Sequence, residues 1–126
     1  MDAPGFIPSL FGAPLSAGGG AIAGTVEDVL VDAASHRPVW LLVRLFDETP
    51  AYTFVPAQRM ASRADAVVVP FDETLVREAP VRLAAPPASC PREHVPALTR
   101  HYGVRVPAGE ALSLRARPAR VSRVAA

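Results

Sequence analysis

The chain predicts a mainly β fold: a small antiparallel β-barrel of five or six strands, closed or partly open, with one α-helix near the C-terminus. Three observations predict it. Two long runs rich in Val, Leu and Ile, Ala21–Asp32 and Val39–Phe46, flank a tight polar turn. Two shorter runs follow, each with a Val-Pro step, Val55-Pro56 and Val69-Pro70. A helical pattern stands out only around Glu93–Tyr102. Four or five short strands with turn signals this close favour a small barrel, because closure removes exposed edges.

Residues 1–9 read as a loose, Pro-containing lead-in. A short strand is expected around Leu10–Ser16, followed by the glycine turn Gly18-Gly19-Gly20. In Ala21–Asp32, Val26 and Leu30 share a face with Asp28, and Val29 and Val31 share the other. Both faces are largely apolar, which predicts a strand covered on both sides. Asp32 and Ser35 can satisfy turn donors, and Pro38 restricts the approach to the next strand, Val39–Phe46, which pairs with its predecessor as a hairpin. Ala51–Val55 and Ala66–Phe71 are shorter strands. Asp72 is a good N-cap for one or two helical turns through Ala79, and Pro80 stops them. Residues 81–91 form a Pro/Ala-rich connector. The helix of segment 92–103 starts near Glu93 with Pro96 in its first turn; Gly103 suits its C-terminal cap, and His101 suits the negative end of its dipole. Residues 104–126 lack periodicity and read as a basic, partly disordered tail.

Composition sets outer bounds. A chain of 126 residues, half of them hydrophobic, is one domain with a buried core of mainly Val, Leu, Ile and Ala. Residues 105–126 hold five Arg and one acid (+4), against eight Arg and eleven acids (−3) in residues 1–104, so a mildly acidic body carries a basic tail. Lys and Asn are absent, a bias expected of a GC-rich genome rather than of function. The single Cys90 has no intramolecular disulfide partner and suits a reducing compartment. Residues 3–26 are uncharged, but Pro4, Pro8, Pro14 and the glycine triplet would break a spanning helix, and Asp2 stands where a signal peptide needs basic residues. A cytoplasmic protein without membrane insertion is expected.

Several segments carry a resemblance. Leu10-Phe11-Gly12-Ala13-Pro14-Leu15, then Ile22 through Asp32, then Arg37–Leu45, Phe54-Val55-Pro56-Ala57 and Val67-Val68-Val69-Pro70-Phe71 leading into Glu73–Pro80 together resemble the PRC-barrel family. That family is named for the cytoplasmic domain of the photosynthetic reaction-centre H subunit, and its fold also forms the C-terminal domain of a ribosome maturation factor. The likeness spans about residues 10–80, and Arg92-Glu93-His94 with Leu98 and His101-Tyr102-Gly103 looks like the terminal helix of small stand-alone bacterial members. With no apolar run that reads as a membrane-spanning helix and no segment that reads as the maturation factor's N-terminal domain, a free-standing barrel with a C-terminal extension is expected. The resemblance implies a scaffold or adaptor that docks on a larger partner, with no shared catalytic residues.

Candidate chemistry is sparse. His94 and His101 are seven residues apart, roughly 10.5 Å of rise on one helix, too far to share a zinc ion whose ligands lie within about 2.0–2.3 Å; both read as helix-surface histidines. Cys90, before Pro91 and Arg92 near a helix start, lacks any base or oxyanion partner at a recognisable spacing. Asp32, Ser35 and His36 are residues of one turn, not a relay. No phosphate loop or dinucleotide fingerprint is present. No catalytic residue, cofactor or metal is therefore expected. Asp28 is expected to accept backbone hydrogen bonds at a bulge or strand end, and Gly24, Asp32, Pro56 and Pro70 are expected to be structural too.

Interaction surfaces remain. If Val39, Leu41 and Val43 point inward, then Trp40, Leu42 and Arg44 point outward and form the centre of a protein interface, with Tyr102 as a second anchor. The other reading has the C-terminal helix covering this face through Val95, Leu98 and Tyr102. An uncovered face predicts a homodimer or a partner site. The alternative function is an RNA- or ribosome-associated assembly factor that uses the barrel with Arg115, Arg117, Arg120 and Arg123 of the tail on phosphates. That tail lacks aromatic residues to stack on bases, so nucleic acid is a candidate partner only through its charge. The leading expectation is a non-catalytic protein-interaction module, a homodimeric scaffold that docks on a protein partner.

Overall fold

The computed structural model describes residues 10–46, 49–107 and 109–114. The strands are β1 (Pro14–Ser16), β2 (Ile22–Asp32), β3 (Pro38–Leu45), β4 (Ala51–Pro56), β5 (Ala61–Arg63), β6 (Ala66–Val68) and β7 (Ala111–Ser113). The helices are α1 (Glu73–Arg77) and α2 (Val95–Tyr102), the second preceded by a 3-10 turn, Arg92–His94. The strands form one sheet in the order β4-β3-β2-β1-β6-β5, with β7 added on β2. No hydrogen-bonded ladder joins β4 to β5, so the barrel is partly open at that seam.

The valine-rich β2 organises the molecule because it is long enough to use both edges. One edge takes β3 from Gly24 to Val31. The other is shared: β1 occupies its start and β7 its end. Between them, Gly12 N–H donates to Val26 O (2.7 Å), Val26 N–H to Ala13 O (2.8 Å) and Leu114 N–H to Val29 O (2.8 Å). The pairing of β2 with β3 skips a residue at Glu27, the signature of a bulge. Asp28 sits there, buried, with Oδ1 accepting Val29 N–H at 2.7 Å and Oδ2 accepting the Ser113 hydroxyl. The carboxylate thus ties β2 to β7.

Local chemistry sets the turns and the closest approaches. Gly24 lies where a Cβ would overlap the carbonyl oxygen of Arg44, so β2 and β3 meet there only because the side chain is missing. Asp32 Oδ2 accepts Ser35 N–H at 2.9 Å in the β2–β3 turn, and this backbone bond holds the carboxyl below its ordinary range. Pro56 ends β4 opposite Trp40, and Pro70 follows β6 at the surface. The two-residue β5–β6 turn needs positive φ at both central positions, and Ala64 (49°) and Asp65 (71°) supply it. Asp72 caps α1, accepting Leu75 N–H at 2.9 Å. Pro96 lies in the first turn of α2, and Gly103 ends it in the left-handed region at φ 69°.

Three features depart from the expected outline. The pair β1–β6 is parallel, not antiparallel: β5 keeps the sense of β4, so the β5–β6 hairpin delivers β6 alongside β1 in the same direction. The strands β5 and β7 are additional, each only three residues long and without an alternating pattern of its own. The connector 81–91 is also hydrogen-bonded to its neighbours. Leu83 exchanges two 2.8 Å bonds with Tyr52 on the outer edge of β4, and Ser113 N–H donates to Ala88 O at 2.8 Å. The chain therefore crosses from the β4 edge to β7 over one face of the sheet.

Candidate functional site

Crossing by the connector decides the fate of the predicted interface. Trp40 is 1% exposed and Leu42 fully buried, so neither is an anchor at the surface. Leu42 lines a small recess together with Pro86, Pro87 and Ala88 of the connector. Trp40 packs edge-to-face on Phe54, with ring centroids 6.2 Å apart, and lies beside Cys90 and α2. Arg44 alone of the three is exposed. Tyr102 is buried as well, its ring against Phe71 (5.0 Å) and its hydroxyl without a hydrogen-bond partner; burial pushes its ionisation up. The face is thus covered, and the cover includes the connector as well as α2. Among the described residues, the large apolar side chains left open are Phe46, 49% exposed, and Ile22, 40% exposed, toward the same end of the β2–β3 pair.

The tempting metal ligands do not converge. His101 Nε2–H donates to Leu75 O at 2.7 Å and so clamps α2 to α1. His94 ends the 3-10 turn, and Cys90, which precedes that turn, is buried, its thiol pushed up to about 12 by desolvation. Among the described residues, no three His, Cys, Asp or Glu side chains are grouped to hold a metal ion, and no helix is long and apolar enough to cross a membrane. Arg115, Arg117, Arg120 and Arg123 lie outside the described residues.

The site that no sequence pattern marks is a cleft of about 570 Å³ between the start of β3, α2 and residues 104–107 and 109–111. Trp40, Cys90, Val95 and Val106 give it an apolar lining, while Arg92, Arg105 and Glu110 supply its charges. Gln58 donates its side-chain amide to the Arg105 carbonyl, which holds the 104–107 segment from the barrel side. Thr99, one turn after Val95 on α2, also lines the cleft. A volume in the range of about 300–1,000 Å³ with mostly apolar walls suits a small ligand or one or two side chains of a partner. Its walls come from segments far apart in sequence, so no local motif marks it.

A family model described as the PRC-barrel domain matches residues 5–76, more than half of the chain. No curated protein matches it in sequence.

Proposed function

Because the chain belongs to the PRC-barrel domain family, we propose that it is a non-catalytic protein-interaction module, a scaffold that docks on a protein partner from a cytoplasmic location. The observation that carries this reading is the cleft beside α2, an apolar recess on the outside of a barrel whose inside is filled. Leu15, Val26, Val29, Leu41, Val43 and Val67 are all essentially solvent-free. A packed interior leaves the outer wall for work, and apolar recesses rimmed by charge are where partner side chains anchor. The single cysteine suits a reducing compartment.

The test is a native pull-down with the full chain as bait, followed by mass measurement of the complex. A defined complex of wild-type chain and one other protein is the expected result. Turnover of a small molecule by the purified chain, or recovery of RNA alone, would overturn the reading. Light scattering on the purified chain measures whether the module works as one copy or two.

A further inference from the structure

The chemistry of the cleft narrows the partner. We propose that it binds an extended acidic segment of a protein partner, with one apolar side chain seated against Val95 and Val106 and flanking carboxylates held by Arg92 and Arg105. This assignment rests on the interaction-module reading and adds the kind of sequence recognised. Both guanidinium groups are on exposed residues that line the cleft, and neither has a side-chain partner among the described residues. A guanidinium presents paired N–H donors that match a carboxylate, so two of them beside an apolar recess specify acid next to hydrophobe. They come from separate segments, the 3-10 turn before α2 and the segment after it, so a peptide lying along the cleft can meet both.

Glu110 refines the picture. It also lines the cleft and is exposed, so it disfavours a ligand that is negative along its whole length. A polyphosphate backbone is such a ligand. Trp40, almost wholly buried, also presents no open ring face for a base. A peptide can instead place its apolar or neutral residues beside Glu110 and its acids beside the arginines.

The experiment uses the only tryptophan in the chain, which lines the cleft. The probes are an acetylated, amidated hexapeptide, Glu-Asp-Leu-Phe-Glu-Asp, its Gln/Asn counterpart, and decauridylate. Titration into the full chain at about 50 mM salt, where charge attraction is only partly screened, should shift Trp40 emission saturably with the acidic peptide. The neutral counterpart should bind at least tenfold more weakly, and decauridylate should leave the emission unchanged. The Arg92→Ala/Arg105→Ala chain should lose at least tenfold in affinity for the acidic peptide, and Glu110→Gln should gain two- to threefold. Equal binding of acidic and neutral peptides, no response to either, or competition by decauridylate would overturn the proposal. Thr99→Trp, which fills the cleft from α2, provides a second route, its fold checked by thermal melting. A partner captured equally by wild-type and Thr99→Trp chains overturns the cleft assignment and leaves the module reading intact. Selective peptide binding by a chain that captures nothing supports the cleft and removes the module reading.

Discussion

Trp40, Leu42 and Arg44 lie in line on one face of β3, yet two of them are sealed and the third is open. The strand is the same throughout; what differs is the segment above it. Pro86–Ala88 share a recess with Leu42, and Cys90 and α2 share the cleft lining with Trp40, while Arg44 lines neither and pairs with Tyr52 of β4. Exposure here is set by a crossing connector rather than by the strand's own alternation. Truncating the sealed half should therefore have the largest effect of any change considered. Trp40→Ala and Leu42→Ala are expected to cost about 3–5 and 2–5 kcal/mol by urea denaturation, and Arg44→Ala within about 0.5 kcal/mol. Comparable losses for Leu42→Ala and Arg44→Ala would break the comparison.

The second test concerns the joint that holds the cover in place. Asp28 spans the bulge and the hydroxyl of Ser113, so it binds β7 to β2. Asp28→Ala leaves the buried Ser113 hydroxyl and Val29 N–H without that acceptor, at an expected cost of about 1–3 kcal/mol. A double-mutant cycle with Ser113→Ala should show coupling of about 0.5 kcal/mol or more. Additive effects of the two changes would mean that the cover is held by packing alone.

These two regions were unequally legible in the sequence. The β2–β3 hairpin declared itself through its apolar runs and the Asp32–Pro38 turn, α1 through Asp72 and Pro80, and α2 through Pro96 and Gly103. Burial of Trp40 and Leu42 was also written there, in the unbroken run Val39-Trp40-Leu41-Leu42-Val43. A strand apolar at every position has both faces covered. What could not be read was which segment did the covering. Residues 81–91 have a composition that suits a free linker, and the hydrogen bonds that dock them on the sheet are to Tyr52, Thr53 and Ala111–Ser113, partners distant in sequence. The cleft inherits that difficulty: Trp40, Arg92, Arg105 and Glu110 become neighbours only after the connector, α2 and β7 have docked.

Cys90 reports on the cover from beneath. Its burial raises the thiol from 9.0 to about 12. The folded chain therefore holds the proton more tightly than the unfolded one, and the associated stability is complete below pH 9 and lost as pH rises from there toward 12. One pH unit above the ordinary value, linkage removes at most about 1.4 kcal/mol, and the open side of the cleft reduces that figure. The expected results are a falling denaturation midpoint between pH 9 and 10 whose slope Cys90→Ala reduces, and slow alkylation of the native thiol at pH 8. Alkylation that accelerates in urea before the barrel unfolds would sharpen the contrast, making the cover a separate cooperative unit. A Cys90→Ala chain with an unchanged alkaline slope would remove the thiol from this account.

A small effect is also expected at the open end of the same ladder. Phe46 is held by its backbone, donating N–H to Ala23 O at 3.2 Å and accepting from the Arg77 guanidinium at 3.2 Å, neither of which needs its ring. With about half of the residue exposed, the ring removes little apolar area from water, so Phe46→Ser should cost under about 1 kcal/mol. That figure assumes a single copy. If a second chain covers Phe46 and Ile22 in solution, the denaturation midpoint of the wild type will rise with protein concentration, and Phe46→Ser will abolish that dependence. A concentration-independent midpoint with a loss under about 1 kcal/mol keeps this end of β3 open. A loss as large as that of Leu42→Ala would show that both halves of the face are sealed, one from within the chain and one by another molecule.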